Sequence, residues 1–341
     1  MMNKVNNYIS TSIHEKEVEE LFNPFYHFAA HRSELIENNS FVKLKVARKS
    51  IILWNDDGLV RAFENACPHR GCEIITEESG KAKMVCPYHL WSFRKGQTFP
   101  TQKEFKSLSQ EELSLTYYTV EECGDFFFFS PRPKNSLKKQ LGEFYGDLEG
   151  ISKSITEKID TNNEGFNCNW KLSVENALET YHVKGIHSDT LGMLKLSDID
   201  NKKSVRNDVM TARIGNAKIK KNLERIKKNF DIIYQNDSYF SFYIFPFGML
   251  SSTYGLSYSY QNFFPETVDK TAFMSRVYRV KTNLDSFYDG VVEINRKIFR
   301  EDSDICGAVQ RASYSHNDNF FFGIEETRIV DFHHNYNSLM E

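Results

Sequence analysis

The chain has 341 residues, 40% hydrophobic and 26% charged, with a formal net charge of −3 at pH 7. That length favours two domains over one, and the charge argues against a nucleic-acid binder, which presents a basic face. There is no run of about eighteen apolar residues to span a bilayer, and no apolar core of signal-peptide type in MMNKVNNYISTSIHEKEVEELF. Six cysteines without a secretion signal do not read as a disulfide framework. The expectation is a reducing cytoplasm, cysteines used for metal or packing, and no nucleic acid or membrane as partner.

From about residue 40 to 130 the sequence predicts short strands and turns. FVKLKVA alternates, KSIILW is a compact apolar run, NDDG is a turn, and LVRAFEN alternates again. LSLTYYTVEEC and FFFFS close this region. PRPKNSLKK, with two prolines and a basic stretch, reads as a linker. Then come a helix over roughly 168–184, a charged helix near 216–230, aromatic strands from about 238 to 281, and a helix over about 286–311. The expected organisation is an N-terminal segment, 1–39, packing on either domain, a first domain over 40–131 and a second over 132–341.

CPHRGC (67–72) and CPYHLW (86–91) give Cys-x-His, sixteen intervening residues, then Cys-x-x-His. Two thiolates and two imidazoles at this spacing suit zinc or a [2Fe–2S] cluster. Zinc sites usually open with a Cys pair and end with a His pair, whereas each loop here offers one Cys and one His. That favours a Rieske centre, in which one iron takes both cysteines, Cys67 and Cys86, and the other both histidines, His69 and His89. Pro68 and Pro87 stiffen the loops, and Gly71 allows a turn.

VENALETYHVKGIH (174–187) carries His182 and His187 five residues apart, which on a straight helix sets the rings about 140° apart. Trp170, Val174, Leu178 and Tyr181 recur at helical spacing as one apolar face, and Glu175, Glu179 and His182 form a separate stripe. In INRKIFREDSDICGAV (294–309), Ile294, Ile298, Ile305 and Val309 form another apolar stripe, interrupted by Asp302. A carboxylate on a buried helix face is costly unless it is paired or holds a metal. His182, His187 and Asp302 therefore make a candidate 2-His-1-carboxylate set for non-haem Fe(II).

The two loops are similar to those of Rieske non-haem iron oxygenases, whose motif is CxHRG…CxYHGW, with Leu90 in place of the usual Gly. NWKLSVENALETYHVKGIH (169–187) resembles the catalytic stretch of the same family, and EDSDICGAVQ (301–310) its ED…VQ segment. EETRIVDFHH is similar to the family's C-terminal ending, which makes His333 and His334 structural. The resemblance is to the large (alpha) oxygenase subunit and covers roughly residues 20–338.

It implies an α+β protein: an all-β Rieske [2Fe–2S] domain plus a helix-grip, START-like catalytic domain with a curved antiparallel sheet around a long helix. It makes Glu179 the carboxylate that bridges to a Rieske histidine of a neighbouring subunit, and Asn176 a residue near the iron. It implies a head-to-tail homotrimer, O2 as co-substrate, and electrons from NAD(P)H through a separate flavin and iron–sulfur reductase or ferredoxin. To reach inward, His187 requires the helix to break after His182, at Lys184-Gly185.

A glutamate at position 179 is similar to the members acting on carnitine- and betaine-like compounds, by C–H hydroxylation or N-demethylation. Ring-hydroxylating dioxygenases, which more often carry Asp there, are the alternative. A different class, a Rieske electron-transfer protein without oxygenase chemistry, also keeps the cluster. Its respiratory members pair an extra Cys from each loop, and here Tyr88 stands opposite Cys72. The aromatic run 238–264 is expected either to line the substrate cavity, where rings hold a cation or an apolar molecule, or to form sheet core.

Overall fold

The computed structural model describes residues 2–315 and 319–341. Two seven-stranded antiparallel sheets organise it. The first runs His27–His31, Phe126–Ser130, Tyr117–Cys123, Leu59–Glu64, Lys49–Asp56, Ser40–Val46 and Ser79–Lys81 in spatial order. Its central strands are the alternating runs of the sequence, and Asp57 and Gly58 turn the Lys49–Asp56 strand into the next with positive φ. The CPYHLW loop leads into a small hairpin, Ser92–Arg94 with Gln97–Phe99.

The N-terminal segment reaches both halves of the chain. His27–His31 is an edge strand of the first sheet, while Met2–Lys4 pairs with Asn319–Phe321. Glu17, wholly buried, pairs with Lys171 and accepts hydrogen bonds from the Trp170 indole and the Tyr336 hydroxyl. PRPKNSLKK is not wholly a linker: its end begins the helix Leu137–Leu141, which Ser136 caps by accepting from the Lys139 N–H.

The second sheet runs Ile155–Asn162, Lys270–Val280, Ser257–Thr267, Gly248–Thr253, Tyr239–Ile244, Asn207–Ile214 and Leu196–Ser204. The long helix Phe287–Ser313 lies across its inner face, and the helix Trp170–Leu178 packs beside that helix. Asn169 opens the shorter helix by accepting from the Lys171 N–H.

Strand alternation sends the aromatic side chains outward. Phe240, Phe242, Tyr258 and Tyr260 pack with Phe28, Phe126 and Phe128 of the first sheet, and Phe28 stacks on Tyr260. Of the aromatics in 238–264 only Tyr239 and Phe263 reach the cavity under the long helix. Most of the others face away from it, because a period of two puts every second residue on the other face, while Tyr243 packs on Phe332 of the C-terminal helix and Phe247 on Trp170.

Two details of the helical reading change. The ligand-bearing segment is not one helix to residue 184: it ends at Leu178, and Tyr181 leaves the apolar face to stand 75% exposed. The stripe Ile294, Ile298, Ile305, Val309 is not packed in a core. Ile294 and Ile298 line the cavity, while Ile305 and Val309 line a second, smaller groove.

Candidate active site

The two Cys–His loops share one backbone pattern. The Cys67 N–H bonds to the carbonyl of Cys72 and the Cys67 carbonyl accepts from Gly71 N–H. The Cys86 N–H bonds to the carbonyl of Trp91 and the Cys86 carbonyl accepts from Leu90 N–H. The loops bring the four side chains together: His69 Nδ1 and His89 Nδ1 are 3.2 Å apart, while Cys67 and Cys86 lie buried below. Burial pushes the Cys67 thiol up to about 11, and the adjacent Cys86 thiol adds to the rise against the backbone of His69. A buried thiol that resists ionisation when alone needs a metal to become thiolate, and Cys67, Cys86, His69 and His89 together supply the two sulfurs and two nitrogens of a cluster site. Trp91 stacks on His69, and Tyr88 on His89.

Gly71 and Leu90 occupy matching places with φ of 71° and 60°. The pattern demands a left-handed residue at both, which is why glycine suits the site. A leucine there costs about 1–2 kcal/mol of backbone strain, partly offset by the lower entropy of its unfolded chain. Leu90 is also exposed, so little burial is lost on removing it. Leu90→Gly is expected to stabilise the protein by about 1 kcal/mol. Calorimetry should show a rise of roughly 2 °C with an unchanged Rieske spectrum; a fall in melting temperature would mean that the side chain contributes packing not apparent here.

The second site answers the five-residue spacing differently from the sequence. The helix breaks before His182, not after it. Glu179 takes extended backbone angles (φ −129°, ψ 166°), and its carboxylate accepts the N–H groups of Tyr181 and His182, which would otherwise seek helical carbonyls. A single turn, Val183–Ile186, follows, so Lys184-Gly185 sits inside helix. His182 and His187 flank that turn, with ring centroids 5.1 Å apart.

Asp302 meets them from the long helix. Its Oδ1 lies 2.9 Å from His187 Nε2 and 3.7 Å from His182 Nε2, and all three donor atoms fall within 4.8 Å of one another. The far nitrogen of each imidazole is held by a carboxylate, His182 Nδ1 by Glu179 at 2.5 Å and His187 Nδ1 by Glu301 at 2.7 Å. Asn176 Nδ2 donates to Asp302 Oδ1 at 2.7 Å. Histidine ligands usually carry this kind of outer partner. Burial opposes charge on His187, yet Asp302 and Glu301 together raise its pKa. The pocket therefore draws a positive charge, and its donors fit a divalent metal.

Glu301 was given no role in the sequence, although it adjoins Asp302 and opens the ED…VQ segment that resembles the family's. Glu175, grouped by spacing with Glu179, does not join the site: it is buried against the Tyr8 hydroxyl (2.7 Å) and His333 Nε2 (2.8 Å). His333 is thus structural, as the resemblance implied, and His334 is exposed.

The triad closes one end of a cavity of about 420 Å³ between the long helix and the sheet. Ile219 and Leu223, from the charged helix Ala217–Lys227, cover part of it. Glu179 and Asn176 also border the outer groove of about 250 Å³.

Two metal sites, one in each half of a single chain, define a Rieske-type non-haem iron oxygenase rather than a one-electron carrier. The chain belongs to the ring-hydroxylating alpha-subunit family: the model for that catalytic domain matches residues 148–341, and a Rieske [2Fe–2S] domain model matches 26–109. The enzyme's cofactors are the [2Fe–2S] cluster and a non-haem iron. The carnitine monooxygenase oxygenase subunit of Acinetobacter pittii is 28% identical, covering 89% of this chain and 83% of that one. The glycine betaine monooxygenase oxygenase subunit of Pseudomonas aeruginosa is 27% identical over 55% of this chain and 45% of its own. Solved structures of the quaternary ammonium Rieske monooxygenase CntA, one with L-carnitine, share the fold with a TM-score of 0.83 at 24% identity, covering 99% of this chain and 95% of that one.

No described helix is long and apolar enough to cross a membrane.

Proposed function

We propose that this chain is the oxygenase component of a monooxygenase that hydroxylates or oxidatively demethylates a quaternary-ammonium or similar small molecule. The observation that carries the reading is the convergence of His182, His187 and Asp302 at one end of a large cavity. In this reading those three hold the iron, and Cys67, His69, Cys86 and His89 hold the cluster. The bound iron supplies O2 activation, and the cluster a stored electron. The overall balance is R–H + O2 + 2e⁻ + 2H⁺ → R–OH + H2O; hydroxylation of an N-methyl group then releases formaldehyde and the demethylated amine.

The protein's own groups orient and exclude. Glu179 and Glu301 fix the imidazoles with their Nε2 atoms facing Asp302, and Asn176 holds the Asp302 carboxylate. Ile298 and Phe299, one turn from Asp302 on the long helix, give the cavity an apolar wall that limits water near the reacting carbon. The substrate class is supported by the carnitine and glycine betaine monooxygenase relatives and by Glu179.

A separate reductase or ferredoxin supplies the electrons, and the working assembly is a head-to-tail homotrimer. Glu179 borders the metal cavity on one side and the outer groove, with its exposed Phe321, on the other. A Rieske histidine of another copy can reach the carboxylate there. CntA is described with inter-subunit electron transfer.

Single turnover tests the function. The iron-replete protein is reduced chemically, freed of reductant and given O2 with trimethylammonium compounds or small aromatics, and products are read by mass spectrometry. A hydroxylated or demethylated ammonium product is expected. A ring diol would move the enzyme to the dioxygenases.

A further inference from the structure

The inner face of the second sheet carries a row of serines that the oxygenase reading leaves unused. Ser241 is directly opposite Ser251 across one strand pair, and Ser251 is opposite Ser259 across the next. All three line the cavity, with Gln261 beside them and Asn295 facing them from the long helix. Asn295 Nδ2 donates to Ser259 Oγ at 2.8 Å, and Gln261 Nε2 donates to the same hydroxyl at 2.6 Å. Ser241, 2% exposed, has no hydrogen-bond partner for its hydroxyl among the described residues. Its Oγ is closed off from the cavity, so the polar groups that the wall presents to an occupant are the part-exposed hydroxyls of Ser251 and Ser259, with Gln261 and Asn295 beside them.

The charge of the cavity decides what kind of group. Among the described residues that line it there is no lysine or arginine, and its acidic side chains, Glu179 and Asp302, belong to the metal site. Arg328, whose guanidinium donates to the Ser241 carbonyl, is paired with Asp208 and does not line the cavity, so a carboxylate buried against these hydroxyls and amides would have no free cation and is disfavoured. Carnitine and glycine betaine each carry a carboxylate.

We propose that the substrate of this enzyme has no carboxylate, and that a neutral hydroxyl or carbonyl at its far end binds Ser251 and Ser259 with Gln261 and Asn295. This rests on the cavity being the substrate site. Asn295 precedes Asp302 by seven residues on one helix, which separates them by about 10 Å. The molecule is therefore extended, with its reacting carbon at the triad and its neutral head at the serines. The apolar side chains between the two ends, Ile298 and Phe299 among them, suit an alkyl or aryl body.

Matched ligands test this. Calorimetric titration of the iron-replete protein without O2, and of the iron-free protein, compares γ-butyrobetaine with the alcohol in which its carboxylate is replaced by CH2OH. A third ligand is that alcohol with carbon in place of the quaternary nitrogen. The alcohols are expected to bind at least tenfold tighter than the carboxylate. Ser251→Ala and Asn295→Leu should each weaken alcohol binding about tenfold, and Gln261→Arg should reverse the preference toward the carboxylate. A carboxylate that binds as tightly as the alcohols, alcohols that fail to bind, or alcohol affinity unmoved by both Ser251→Ala and Asn295→Leu would each overturn the proposal. Binding without oxidation in single turnover would instead strike the proposed reaction and leave the binding inference standing. Oxidation of the carboxylate ligand would do the reverse.

Discussion

Asp302→Ala is expected to abolish turnover and to lower the iron content from about three to about two per chain, with the Rieske spectrum unchanged. Asp302 is the anionic member of the triad and the one to which both imidazoles point. Without it two neutral nitrogens remain, and iron affinity should fall by more than the ~10–100-fold typical of losing an outer partner. The fold should survive. In the metal-free protein Asp302 accepts from Asn176 Nδ2 and pairs with His187 Nε2, and the variant leaves both without that partner, at about 1–3 kcal/mol for a buried group left unpaired. The metal-free variant should therefore melt a few degrees below the metal-free parent while still unfolding cooperatively. Metal analysis, cluster absorbance and single-turnover product would be measured on one preparation. Turnover with three irons retained would place the third ligand elsewhere.

The chemistry was legible in the sequence where residue type and spacing jointly constrain it. Cysteine and histidine in paired loops leave few alternatives, and a carboxylate interrupting an apolar stripe asks for a cation. The path of the backbone was not legible in the same way. The stretch 168–184 has helical periodicity, and nothing in its spacing reveals that the Glu179 side chain takes over the N–H groups of Tyr181 and His182 and ends the helix early. Tyr181 matched an apolar face only because that periodicity was carried past the break.

In 238–264 the aromatics drew attention, while the alternating serines and glutamine of Ser257, Ser259 and Gln261 held the information about the cavity. Period-two alternation says that the two sets face opposite ways. It does not say which face meets the other sheet, and that depended on Phe28, Phe126 and Phe128, more than a hundred residues away in sequence. The edge strand His27–His31 was missed for a similar reason: its residues are buried on both faces and show no alternation.

Glu179→Gln is the change expected to separate the two metal sites from each other while leaving both filled. The carboxylate accepts from His182 Nδ1 through one oxygen and from backbone N–H groups through the other. Glutamine has the same shape but one acceptor oxygen and an NH2 group, so it cannot serve His182 and the backbone as before and also accept from a further imidazole. The triad atoms themselves are untouched, and iron content should stay at about three per chain. The reaction that should fail is passage of an electron across the position of Glu179. With the cluster pre-reduced, stopped-flow mixing with substrate and O2 should show its reoxidation slowed by at least ~100-fold, the upper end of what loss of an outer partner does to activity. A merely structural role predicts otherwise: if Glu179 only ends the helix and orients His182, the variant should lose iron in proportion to activity, and the sites that remain filled should draw electrons at the parent rate. Reoxidation at the parent rate with full iron content would route the electron elsewhere and leave the groove beside Glu179 without its proposed partner.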